Sequence, residues 1–114
     1  MLERFKDSSN PSSIAARDSL ETFIHICKER YIPVGIVLFT LPYDGGGSLD
    51  FLTERVLQLC KQEGIRCLDL RSSFVPYRSG EQLFANILDR HPSSFANGLA
   101  AERIIDTFRD LWRN

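Results

Sequence analysis

The sequence is poor in the features that mark a metal-bound, disulfide-knit, nucleic-acid-binding or membrane-spanning chain. It has three cysteines, Cys27, Cys60 and Cys67, an odd number with no two close together. That spacing excludes a CxxC metal knuckle and argues against a disulfide framework, so each cysteine reads as a small buried apolar residue, in keeping with a reducing compartment. No more than two basic residues stand in succession, and 14 Lys and Arg against 15 Asp and Glu leave a net charge of −1. Neither a polybasic patch nor a whole-chain positive field exists to recruit nucleic acid or anionic lipid. The longest apolar stretch, residues 34–41, is far too short to cross a bilayer, and residues 1–10 are too polar for a secretory signal. These absences lead to the expectation of a soluble chain, cytoplasmic by default, with no nucleic-acid or membrane partner.

What is present suits one globular domain. The 114 residues are 43% hydrophobic and 25% charged, without repeats, low-complexity tracts or an internal boundary. Residues 1–13, with Asn10-Pro11 and paired serines, read as a loose lead-in. From Ile14 the pattern turns helical: Leu20, Phe23, Ile24, Cys27 and Tyr31 fall on one face until Pro33 stops the run. Residues 34–39 form an unbroken branched apolar run ended by Pro42 and the triplet Gly45-Gly46-Gly47. Such a run predicts a strand covered on both faces, hence parallel, with Gly35 marking a close approach by a helix.

Ser48 is placed to cap a second helix whose apolar face is Leu49, Leu52, Val56, Leu59 and Cys60, with Gly64 as its C-terminal glycine. A second strand follows at residues 65–70, then a loop over 71–78. Ser79 and Gln82 predict a capping box for a short helix carrying Leu83, Phe84, Ile87 and Leu88. A final helix begins near Pro92 or Ser93 and presents Ala101, Ile104, Ile105, Phe108, Leu111 and Trp112. The expected fold class is α/β: part of a flavodoxin-like three-layer fold with parallel strands near 34–40 and 65–70 and flanking helices. Two strands are few for a covered sheet, which points to pairing with another chain along strand 34–40, by self-association or through a partner, or to a larger unit.

The densest chemistry lies in Asp89-Arg90-His91-Pro92-Ser93-Ser94. Asp89 stands two residues from His91, where its carboxylate could orient the imidazole as a general base; equally, His91 reads as a polar loop residue and Asp89 as a capping group. Ser93 and Ser94, at a helix start, have a capping role. The remaining features are weaker. Residues 44–48 lack the lysine of a phosphate-binding loop and read as a flexible connection. Asp69 reads as a partner for neighbouring backbone, His25 as a surface histidine and Trp112 as core. His25, His91 and the cysteines share no ligand spacing, so no metal or organic cofactor is expected.

The segment DRHPSSFANGLAAERIIDTF resembles the last block of the SGNH (GDSL-type) hydrolases, in which an Asp and a His precede a Pro and an Ala-rich terminal helix. VGIVLFTLP is similar to that family's penultimate core strand, and QEGIRCLDLRSSF to the strand after it. The resemblance implies that residues 14–114 are the C-terminal half of a serine esterase domain acting on an acyl ester, with His91 as general base and Asp89 as its orienting acid. The family's Gly-Asp-Ser nucleophile block and its oxyanion-hole glycine and asparagine have no counterpart here. The resemblance therefore implies an incomplete site, inactive alone, or a non-catalytic α/β interaction module derived from such a hydrolase.

Overall fold

A computed structural model describes residues 11–41, 50–77, 81–86 and 91–112. Helix α1 (Pro11–Glu29) begins within the segment read as a lead-in. Pro11 suits its first turn, where a missing N–H is not needed. Of its apolar residues only Ile24 and Cys27 are buried, while Phe23 is 52% and Tyr31 92% exposed. The buried stripe is thus narrower than the periodicity implied. The helix stops before Pro33, at Tyr31, whose φ of 56° is left-handed. The Tyr31 N–H bonds the Lys28 carbonyl at 3.2 Å and the Ile32 N–H bonds the Cys27 carbonyl at 2.8 Å, the Schellman arrangement.

Strand β1 (Gly35–Leu38) runs parallel to β2 (Arg66–Asp69), with Gly35 opposite Arg66 and Leu38 opposite Asp69. Helix α2 (Asp50–Glu63) makes the crossover. It ends as the sequence predicts: Gly64 has φ 69°, and the Ile65 N–H reaches back to the Cys60 carbonyl at 3.0 Å. Residues 71–77, expected as a loop, are a short helix α3 (Arg71–Phe74) followed by a 3-10 turn (Val75–Tyr77). The Asp69 carboxylate receives the Arg71 N–H at 3.0 Å, and the Leu70 carbonyl receives the Ser73 N–H at 3.0 Å, which winds the chain directly out of the strand.

The short helix expected after Ser79 is instead one 3-10 turn (Glu81–Leu83). Phe84 then pairs with Pro92 in an antiparallel bridge, which pulls the chain out of helical geometry. Ser79, Ile87 and Leu88 lie outside the described residues, as do Ser48, Leu49 and the glycine triplet. Helix α4 (Ser94–Thr107) is capped by Ser93, whose hydroxyl accepts the Ala96 N–H at 3.1 Å, and a last 3-10 turn (Arg109–Trp112) follows it. Its buried residues are Ala96 and Ala100, joined at its C-cap by Phe108. Ala101 is exposed and Ile105 is 50% exposed, so the face is rotated from the expected one.

The core gathers Leu41, Leu68, Leu70, Phe74, Leu83, Phe84, Ala96, Ala100 and Phe108, with Val37, Ile104 and Leu111 packed against it. It lies between α4 and one face of the two strands. On the opposite face Cys67 is joined to Cys60 of α2 by a disulfide, with Cα atoms 6.3 Å apart. This corrects the expectation of unpaired cysteines: the Gly64 turn folds β2 back along the end of α2, bringing together two residues that look unrelated in sequence. Cys27 is free and buried.

The expected three-layer flavodoxin-like fold is not found. The described residues are mostly helical, with a single open sheet of two strands. Nor is β1 covered on both faces: all four of its residues are half-exposed. No described helix is long and apolar enough to cross a membrane.

Candidate functional site

His91 sits in the antiparallel bridge that precedes α4. Its main-chain carbonyl accepts the Ala85 N–H at 2.9 Å, and the Ser93 N–H bonds the Leu83 carbonyl at 2.9 Å. These bonds hold the His91 backbone, and the residue is exposed. Asp89 lies outside the described residues, so the structure does not place the expected pair together. The Ser93 hydroxyl is committed twice, donating to the Gln82 carbonyl while accepting from Ala96. A hydroxyl so engaged is a helix cap, as expected, and not an activated nucleophile. The described residues carry no catalytic triad and no cluster resembling an oxyanion hole, and no three His, Cys, Asp or Glu side chains among them gather to hold a metal ion.

Charged side chains concentrate elsewhere, as ties between elements. Arg71 grips Asp69 through Nε, 3.0 Å from both carboxylate oxygens, and through a terminal nitrogen 2.6 Å from Oδ2. The same terminal nitrogen reaches Glu54 of α2 at 2.6 Å. Burial pushes the Asp69 carboxyl up, but the Arg71 hydrogen bonds and charge outweigh it and leave it below its usual value of 3.8. Asp69 thus serves neighbouring backbone, as read from sequence, and a guanidinium as well. Arg66 holds Asp110 through both carboxylate oxygens, one at 3.0 Å, and the Thr107 carbonyl at 2.9 Å, closing the end of α4 over β2. His25, expected to be a plain surface residue, bonds the Glu63 carboxylate at 3.1 Å, where Lys28 joins it at 3.3 Å. No sequence spacing signals that tie, because its members come from different helices.

The feature that remains open is the outer edge of β1. The Leu38 carbonyl accepts the Leu70 N–H at 3.1 Å, so Leu38 turns its main-chain groups toward β2. In a parallel ladder alternate residues face alternate sides. Gly35, Val37 and Phe39 therefore turn their N–H and C=O groups away from β2, where no strand lies among the described residues. Phe39 is 39% exposed beside them, and Ile32, just before the strand, is 51% exposed.

No family model, no curated protein and no solved structure matches this chain. With the two-stranded open sheet, this overturns the resemblance to SGNH hydrolases and the esterase function drawn from it, whether as half an enzyme or as a module derived from one. Of the described part of that segment, Pro92 pairs with Phe84 in a bridge, Ser93 caps the helix, and Ala96 and Ala100 join the core.

Proposed function

We propose that this chain is a self-associating module that completes its sheet by pairing β1 with β1 of a second copy. The observation that carries the reading is the row of main-chain groups on Gly35, Val37 and Phe39 that face away from β2, where no strand lies among the described residues. Such an edge is a template for another strand. A two-fold axis through Val37 sets Val37 against its own copy and Gly35 against Phe39 of the partner, an isologous contact in which every pair recurs. A net charge of −1 on each copy opposes this association only weakly.

Sedimentation velocity over a range of protein concentrations tests the reading. The expected result is a concentration-dependent dimer. Val37→Pro removes one outward N–H and leaves the β1–β2 ladder bonds in place, so it is expected to yield a folded monomer by circular dichroism. Phe39→Lys places a charge on the edge and is expected to act in the same direction. A wild-type chain that stays monomeric at the highest concentration, or a dimer indifferent to both substitutions, overturns the reading.

A further inference from the structure

We infer that α1 is a releasable strap, latched to the rest of the chain by the carboxylate of Glu63, and that unlatching it bares the Cys27 thiol while the sheet and α4 stay folded. Helix α1 has 19 residues, but of its described side chains only Ile24 and Cys27 are buried. None of the residues that form the core under α4 comes from it. Its first half stands off from α2 across an open groove of about 450 Å³, with Arg17 and Leu20 on one wall and Leu52 and Val56 on the other. Closely packed helices leave no such space between them. What holds α1 therefore lies nearer its other end.

There the hold converges on one acid. Among the described residues the polar ties from α1 to other elements run from His25 and Lys28, and both end on Glu63, the last residue of α2. Nε2 of His25 lies 3.1 and 3.2 Å from the two carboxylate oxygens. Nζ of Lys28 donates to one of them at 3.3 Å and to the Glu63 main-chain carbonyl. The Glu63 side chain is only 13% exposed, while both cations reach solvent. No other charge faces it among the described residues: Arg66, just past the Gly64 turn, is committed to Asp110 and the Thr107 carbonyl. The His25 hydrogen bond, helped by Lys28, holds Glu63 below its usual 4.5 against desolvation. Its ionised form thus favours the docked helix: the latch is closed above the ordinary value and fails as pH falls through the folded one. Acid leaves lysine and histidine cationic, so the carboxylate is the member it removes.

A strap also needs a hinge and, to be followed, a reporter. Residues 30–34 join α1 to β1 without helix or strand, and Tyr31 among them is held at a left-handed φ of 56°. A few such connecting residues absorb a change in helix direction, and opening the turn relieves the strain at Tyr31. Cys27, next to Lys28, is a free thiol buried only while α1 is docked.

Alkylation of the native full chain with N-ethylmaleimide at pH 7, read by mass spectrometry beside amide hydrogen exchange, tests the inference. Glu63→Gln removes the charge and keeps the shape. It is expected to speed labelling of Cys27 about tenfold or more, the scale of a hydrogen bond to a charged group, and to lower amide protection across α1 while β2 and α4 keep theirs. His25→Gln/Lys28→Gln, which disables the latch from the α1 side, is expected to do the same. Arg66→Gln breaks an exposed tie of the same kind at the end of α4 and is expected to leave Cys27 as slow as in the unaltered chain. Slow labelling in both latch variants, loss of protection in α1 and α4 together, or equal acceleration by Arg66→Gln overturns the inference.

Discussion

Phe108 is seated directly against Gly35: a Cβ built on that glycine would stand 2.3 Å from the ring's Cε1 and 2.7 Å from its Cδ1. The C-cap of α4 is seated on the first residue of β1 only because that residue has no side chain. Gly35→Ala forces the ring or the strand to move and is expected to cost about 1–3 kcal/mol in urea unfolding. Phe108→Ala, at a position 3% exposed, is expected to cost about 3–5 kcal/mol. The pair should be non-additive: in Phe108→Leu the cost of Gly35→Ala shrinks, and a double-mutant cycle that shows strict additivity contradicts the contact.

Tyr31 occupies the left-handed position at the end of α1 with its side chain 92% in solvent. A residue with a Cβ is strained there, and little packing is lost by removing the ring. Tyr31→Gly is therefore expected to raise stability by about 0.5–1 kcal/mol, the reverse of the usual effect of inserting glycine. A lowered thermal midpoint contradicts this reading of the cap.

Acid should loosen the molecule through three carboxylates. The His25 hydrogen bond holds Glu63 below its usual 4.5, with desolvation opposing and Lys28 assisting. The Arg66 hydrogen bonds hold Asp110 below its usual 3.8, and Asp69 is lowered on balance by Arg71. Each folded value is depressed, so the stability each contributes is present above its ordinary value and is lost as pH falls through the folded one. Urea midpoints should be level from about pH 7 to about pH 5 in these groups' contribution, then decline. His25→Ala/Lys28→Ala leaves Glu63 without its donors, so the acid decline becomes shallower; an unchanged decline contradicts the assignment.

Reduction should weaken the chain without dismantling it. The Cys60–Cys67 link closes a short loop, for which the chain-entropy relation gives about 2–3 kcal/mol. Denaturant unfolding with and without a thiol reductant is expected to differ by that amount. Alkylation of the unreduced, unfolded chain should label Cys27 and spare the other two. Labelling of all three removes the disulfide.

The sequence made the local features legible where one residue type has one physical use. Gly64 ends α2, Ser93 caps α4, and Gly35 marks a close approach, because positive φ, an N-terminal hydroxyl and absence of Cβ each leave a plain mark. Periodicity placed α1, α2 and α4 but misjudged how much each helix buries. Phe23 and Ile105 have apolar spacing yet stay half in solvent, since a sheet of two strands offers too little surface to cover them. Cys60 and Cys67 were hidden by the turn between them, and the tie from His25 to Glu63 by its span of two helices. Of the expected site, His91 is found at an exposed bridge and Asp89 lies outside the described residues. Its catalytic reading came from letters shared with a family; among those described, Ser93 is a helix cap and Ala96 and Ala100 are core residues.

The seating of Phe108 on Gly35 also sets a timetable. β1 can pair with β2 once α2 has formed, but its α4-side face stays uncovered until the ribosome has made the residues beyond α4. During that interval the nascent sheet exposes a face as well as an edge.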